Sequence, residues 1–335
     1  MTRAAPQLFA LIAALAALTL AAIAFGASFM PLDRVVAALV GQGSRTDGII
    51  IWNLRFPRVL LAILAGIALG VAGTLLQKAT RNPLAAPSVL GIVDGAALGV
   101  LLFLLLFSNE ANALTVSVYW QPVAAVIGAL VFAGAVAALW WREIQSPMRL
   151  ILYGVALAAL ANALVVLLII AGPVFRASQA LIWLAGSVHT AEWLDVGVLA
   201  ACLGALLVPI LLMARPLDQM RLDDESARAT GLAVNPTRGA ALLLSVLLTA
   251  AAVSLVGGIG FVGLIAPHLS RLLFGSRIGP QMLGAALIGP LMILGADLLA
   301  RLAFQPLEVP AGALTALIGA PYFLFIMFRQ GQAHA

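Results

Sequence analysis

Charges are rare along this chain and fall in short stretches between long apolar runs. Uncharged runs cover residues 4–32, 59–76, 82–93, 95–109, 111–141, 150–175, 196–214, 239–270, 278–296 and 309–328. About 20 apolar residues let a helix cross a bilayer, so the pattern predicts an all-α integral membrane protein with about ten transmembrane helices. Asp94 interrupts the third stretch, so residues 82–109 read as one loop followed by one helix. The run 239–270 holds one span and a second, broken one, with the break at Gly257-Gly258-Ile259-Gly260. The stretch 55–95 organises the rest: Arg55 and Arg58 flank Pro57, the uncharged run 59–76 follows, and Lys78 and the turn Arg81-Asn82-Pro83 close it. Gly66, Gly70 and Gly73 lie at spacings that let helix backbones approach closely. Pro267, Pro290 and Pro321 are expected to kink or end their helices.

Composition narrows the class. Of 335 residues, 63% are hydrophobic and 9% charged, against about 25% charged in soluble domains. The mean hydropathy is +1.12, and no polar surface can be assembled from such a chain. The net charge of +5 comes from arginines and the single Lys78, all placed between apolar runs. It therefore reads as an orientation signal rather than a nucleic-acid footprint. With the N-terminus inside and ten spans, twelve basic residues fall inside and six outside, which supports cytoplasmic N- and C-termini. The first run exceeds the 7–15 apolar residues usual in a signal peptide, so it reads as an uncleaved first span. Cys202 is the sole cysteine, so no intramolecular disulfide forms.

Catalytic constellations are missing, and neither a catalytic nor a metal-binding residue, nor a cofactor, is assigned. His189, His268 and His334 lie far apart without a partner cluster. A phosphate-binding loop needs a glycine-lysine-serine/threonine run, and the sole lysine sits in Gln77-Lys78-Ala79. Any ATP hydrolysis must occur on another polypeptide. The acids available for ion coupling are Asp94 and Asp297, and both read as satisfied helix-end carboxylates. An ion-coupled secondary transporter remains the alternative class. Residues 214–238 form the most charged segment. Asp223, Asp224 and Glu225, then Arg228, then Gly231 read as a short helix with acids first, a base later and glycine as its stop. It is either a solvated loop helix or a docking element for a partner. Asn162 is a polar candidate for a pathway, or a helix–helix hydrogen bond.

These residues also resemble a known family. Arg55-Phe56-Pro57-Arg58, the helix from Gly66 to Gln77, Arg81-Asn82-Pro83-Leu84-Ala85-Ala86-Pro87 with Leu90-Gly91, Trp183-Leu184-Ala185-Gly186-Ser187, Gly260-Phe261-Val262-Gly263-Leu264-Ile265-Ala266-Pro267-His268, Ala296-Asp297 with Arg301, Glu308-Val309-Pro310-Ala311-Gly312 and Gly319-Ala320-Pro321 occur in order. They are similar to the signatures of the FecCD family, the permease subunits of ATP-binding-cassette importers for iron-siderophores, haem and cobalamin. The resemblance runs from about residue 50 to residue 328.

It implies a single permease domain over 1–335 with the type II importer fold, set in the bacterial inner membrane. Its implied partners are membrane lipid, a second permease subunit (identical or paralogous), two cytoplasmic ATPases and a periplasmic binding protein, with no nucleic acid. By motif, Arg55, Arg58 and Arg301 meet acids on the binding protein, and Leu222, Asp223, Asp224, Glu225, Arg228 and Gly231 couple to the ATPase. Asn82 and Pro83 mark the signature turn, and Gln77 joins Asn162 as a pathway candidate. The Trp183 and Gly263 motifs are most like those of iron-siderophore permeases. One physical argument agrees for the arginines: two cations at a helix start oppose the dipole there, and an arriving acidic partner would relieve them.

Overall fold

The computed structural model describes residues 4–26, 29–109, 113–141, 147–172, 174–305 and 307–332. Arg3, Arg142 and His334 of the sequence arguments lie outside them. In chain order the helices are α1 (Ala4–Ala24), α2 (Leu32–Leu39), α3 (Arg45–Ile49), which passes through a π-helical turn (Ile50–Arg55) into α4 (Phe56–Thr80), then α5 (Ile92–Leu106), α6 (Gln121–Trp140), α7 (Pro147–Ala171) and α8 (Val174–Ala185). They continue with α9 (Trp193–Leu212), α10 (Ala214–Gln219), α11 (Asp224–Ala229), α12 (Val234–Val256), α13 (Val262–Phe274), α14 (Ile278–Ala303) and α15 (Ala311–Gln332). Among the described residues, seven helical stretches are long and apolar enough to cross a membrane, and three shorter apolar helices lie in α5, α13 and α15.

Two populations of helices emerge. Most of α4, α12 and α14 is buried, whereas α1, α6, α7 and α9 bury only 17–22% of their most apolar windows. The centre is α4, packed against α14, α12 and α13. Its glycines permit this. Gly66 meets the backbone of Gly289 and Pro290 in α14, Gly70 meets the Ala285 carbonyl, and Gly73 meets Gly263 at the start of α13. A methyl group at Gly66 or Gly73 would overlap backbone atoms, which cannot swing aside as a side chain can. With lipid outside as apolar as the helices, such close approach supplies the packing that holds spans together.

The short helices are short because their leads are not helical. Ahead of α5, Asn82 Oδ1 accepts from the Leu84 amide at 2.9 Å and the Asn82 carbonyl accepts from Ala85 at 3.1 Å. Gly91 then turns the chain with φ +70°. Ahead of α13, the expected break occurs: Gly257 takes φ +70°, and Phe261 takes φ +65°, a conformation rare for a bulky side chain. The Phe261 ring lies where a side chain at Gly319 of α15 would stand, and Thr315 Oγ1 donates to the Gly260 carbonyl at 3.1 Å. The two leads meet where Pro87 packs on Gly263.

Pro267, Pro290 and Pro321 do not end their helices, as they lie inside α13, α14 and α15. Gly66 of α4 seats directly against the turn at Pro290.

Gly73→Val would push a branched side chain into the Gly263 backbone. Overpacking of this kind costs about 1–3 kcal/mol, so the variant should melt at a lower temperature in detergent than the parent. Gly134→Ala on α6, where nothing lies within 4 Å, is the control expected to melt unchanged.

Candidate functional site

Polar side chains gather at the two ends of α4. At the first end, Asp297 of α14 is 1% exposed. Arg58, in the first turn of α4, donates to it through Nε at 3.0 Å and NH2 at 2.6 Å. Arg301, one turn further along α14, brings its Nε to 3.2 Å from Asp297 Oδ2. That nitrogen lacks the geometry of a hydrogen bond, so this second contact is electrostatic. Arg301 also donates to the carbonyls of Ala22 and Phe25, each at 3.2 Å. Arg55 donates to those of Ile23 at 2.5 Å and Ala24 at 2.9 Å. Both guanidiniums thus cap the last turn of α1, where the helix dipole is negative and the carbonyls lack helical partners.

This placement replaces the helix-dipole argument made for Arg55 and Arg58. Arg55 precedes α4, but its charge lies at the end of α1, and Arg58 already has its counter-ion. No outside acid is needed to relieve them. Arg55 is 6% exposed, and the side chains of Arg58 and Arg301 are each 11% exposed. The solvent-facing members of the cluster are two residues to which the sequence assigned no role. Arg58 NH1 lies 2.9 Å from His189 Nδ1, and His189 Nε2 lies 2.5 Å from Glu308 Oε2. A guanidinium only donates, so Nδ1 accepts and the Nε2 proton goes to Glu308. Burial holds this imidazole below its usual 6.5; Glu308 opposes the shift and Arg58 adds to it. His189 therefore has partners after all. They lie in α4 and beyond α14 in the chain, where no local spacing could reveal them. Three arginines face Asp297 and Glu308, leaving one net positive charge.

At the second end, α11 begins as expected. Asp223 Oδ1 accepts from the Ser226 amide at 2.6 Å, and Ser226 Oγ donates to Asp223 Oδ2 at 3.0 Å. The Ser226 amide holds the Asp223 carboxyl below the usual carboxylate range, helped by the Ser226 hydroxyl. Gly231, at φ +85°, stops the helix. Leu222, Asp223, Glu225, Arg228 and Gly231 are exposed. Asp224 is half-buried. It turns inward to Arg81 NH2 at 2.8 Å and to the fully buried Arg238 at 3.1 Å, with Arg228 more loosely at 3.8 Å.

Arg81 is the residue that terminates α4, in a left-handed conformation with φ 51°. It also donates to the carbonyls of Met220 at 3.1 Å and Leu222 at 2.5 Å. Arg238 of α12 donates to the Ala79 carbonyl of α4 at 3.0 Å. So α11 is bound to α4 and α12 together, with its apolar and charged outer face free.

The two pathway candidates separate. Gln77 is 6% exposed, and its amide donates to the Leu264 carbonyl of α13 at 3.2 Å, so it stitches two helices within the subunit. Asn162 is exposed on α7. Asp94 lies in the first turn of α5, a helix-end carboxylate as expected. Among the described residues no cluster of His, Cys, Asp and Glu could hold a metal ion.

The chain matches the FecCD transport family along residues 14–329. It is 42% identical to YfhA of Bacillus subtilis (strain 168), whose name describes a siderophore transport system permease, over 94% of this chain and 92% of that one. It is 34% identical to the ferric enterobactin transport system permease protein FepG of Escherichia coli (strain K12), over 92% of this chain and 91% of the relative. A solved metal-chelate type ABC transporter in an inward-facing conformation superposes with a TM-score of 0.82 at 29% identity, covering 97% of this chain and 99% of its own.

Two predictions follow from the Asp297 cluster. Asp297→Asn leaves Arg58 and Arg301 without a counter-charge, and breaking a buried pair this way costs about 3–5 kcal/mol. The variant should lose most of its monodisperse yield and melt well below the parent. The second concerns pH. Because folding lowers the His189 pKa below 6.5, the unfolded chain binds more protons just below that value. Stability from this group is fully present above pH 6.5 and falls as pH drops toward the folded pKa. His189→Gln can still accept from Arg58 and donate to Glu308 without titrating. Its melting temperature should fall less than the parent's between pH 7 and pH 5.

Proposed function

The chain belongs to the FecCD transport family, and on that premise we propose how it works: it is the membrane-spanning permease subunit of an ATP-binding-cassette importer for iron-siderophore complexes. Seven long helices and the short α5, α13 and α15 together make ten spans, with both termini in the cytoplasm, and the membrane is the bacterial inner membrane. The distribution of charge, twelve basic residues against six, supports this orientation. Exposed aromatic residues mark the two interfaces rather than the orientation: Trp52, Tyr119, Trp120 and Trp193 toward the Arg58 end, and Trp141 at the end of α6.

A second permease subunit, identical or paralogous, completes a central pathway, and the exposed Asn162 face of α7 is offered to it. Two cytoplasmic ATPases dock on α11 through Leu222, Glu225 and Arg228. A periplasmic binding protein delivers cargo to the cluster of Arg55, Arg58 and Arg301. An acid on that protein meets the residual positive charge there, displacing His189, together with the Glu308 bound to it, from Arg58. The chain itself performs no hydrolysis. The signatures around Trp183 and Gly263 favour a siderophore cargo over haem or cobalamin.

The observation that carries this reading is the attachment of α11. A solvated loop helix needs no ion pairs to two spans, whereas a lever does, and Asp224 joins Arg81 of the α4 terminus to Arg238 of α12. In proteoliposomes holding the co-purified complex, uptake of a radiolabelled ferric siderophore should require ATP and a binding protein. Glu225→Arg on the outer face of α11 should lower uptake and ATP turnover together while leaving the melting temperature unchanged. Uptake without nucleotide or companion proteins would instead mean an ion-coupled carrier.

A further inference from the structure

We propose that α2 lies in the surface of the membrane at the Arg58 end of the molecule, with Leu32, Val36 and Val40 immersed among the acyl chains of that leaflet. The inference rests on the chain being membrane-embedded, and not on its cargo or motor.

The helix has three faces rather than two. At about 100° per residue, Leu32, Val36 and Val40 fall within one arc. They are 57%, 57% and 62% exposed, so nothing in this chain covers them. Val35 and Ala38 form a second arc and are buried at 1% and 3%. The Ala38 carbonyl accepts from Trp52 Nε1 at 3.3 Å, which fixes that face to the protein. Asp33 and Arg34 form the third arc. Arg34 Nε donates to Asp47 Oδ2 at 3.2 Å, and both Asp33 and Arg34 are exposed. The centres of the three arcs lie roughly 110–130° apart. A helix floating beside a membrane protein needs this arrangement: protein on one flank, acyl chains beneath, water above.

A bilayer is the occupant indicated by continuity. Immediately before α2, Phe29 is 61% exposed and meets Phe25 in a tilted ring contact at 5.1 Å, at the end of the lipid-facing α1. Behind α2, Trp52 and Trp193 stack at 6.1 Å and are 40% and 44% exposed. Exposed indoles at a span's end belong to the interfacial belt. The stripe thus extends a surface already turned to lipid at both of its edges. The exposed polar pair His189–Glu308, offered above to a protein partner, is charged and chemically unlike it. Since α2 runs through α3 and the π turn into α4, a helix held at this depth also fixes the height of Arg58 and its cluster.

The test uses the full chain in nanodiscs, with Cys202→Ser as background. Val36→Cys, Val40→Cys and, on the polar arc, Ala37→Cys are each reacted with a charged, membrane-impermeant maleimide, then separately labelled with a small fluorophore. Positions 36 and 40 should react slowly, and their labels should lose most of their fluorescence when doxyl-phospholipids replace ordinary lipid. Position 37 should react readily and respond to iodide instead. Rapid maleimide reaction at 36 and 40, with no doxyl quenching, overturns the proposal. Protection that appears only after binding protein is added, or only when a second permease subunit is present, overturns it too, by naming a protein as the occupant.

Discussion

Each end of α4 carries an arginine held by an aspartate, and the rest of the structure is arranged around those two contacts. A bilayer interior offers no water to solvate a charge or an unpaired backbone group, so the central helix must end in neutralised positions. Arg58 starts it and meets Asp297 of α14. Arg81 terminates it and meets Asp224 of α11. Each aspartate also takes a second guanidinium, Arg301 at one end and Arg238 at the other. Four arginines and two aspartates thereby fix both the depth of α4 and the helices beside it. Between these clamps lie Gly66, Gly70 and Gly73, and the buried polar side chains there, Thr74, Gln77 and Thr80, bond to the Gly70, Leu264 and Leu76 carbonyls.

Much of this was readable in the sequence where the rule is local. Uncharged runs located the spans, because length and apolarity alone decide whether a helix can cross. Asp223 and Gly231 bounded α11, because caps act within one turn. Gly257-Gly258-Ile259-Gly260 announced the break before α13. The direction of long side chains was not readable. Arg55 stands before α4 in the chain yet reaches the far end of α1, and position along a helix says nothing of where a guanidinium on a flexible stem will settle. Asp297 is 239 residues from Arg58, and His189 and Glu308 meet only because α14 returns to the same end. The inward partners of Asp224 and Gln77 were hidden for the same reason: Arg81 of the α4 terminus and the Leu264 carbonyl of α13 come from distant parts of the chain. Pro267, Pro290 and Pro321 lie inside α13, α14 and α15, so of the two expected outcomes, a kink or an end, the end does not occur.

What can move in such a molecule follows from what is packed on backbone. The contacts among α4, α13 and α14 are between glycines and main chain, which have two options, intact or broken, and no graded compliance. These helices should travel as one body. The outer helices α6, α7 and α9 bury little within the chain and meet lipid or a partner instead. Strain sits within the buried group. Phe261 is held at φ +65° in an extended lead, kept there by its ring against Gly319 and by Thr315 on the Gly260 carbonyl. A bulky residue in that region costs of order 1–3 kcal/mol, so the segment joining α12 to α13 stores energy that a shift of α15 could release.

A push delivered on α11 has a defined route into this body. The helix is too short to transmit force along its own axis, and Ala227 is its one buried residue. Force therefore passes through Asp224. Its two arginines sit on the terminus of α4 and inside the first turns of α12, and Arg238 additionally grips the Ala79 carbonyl of α4. Displacing α11 drags both helices together, because moving one alone would strip a counter-charge from a guanidinium that is 1% exposed. At the other end the same body carries Arg58, so motion begun at α11 arrives where His189 and Glu308 face solvent. On the proposed reading, a permease would then be worked from either end, by a motor through Asp224 or by a docked partner through Asp297, since both aspartates hold the same helix.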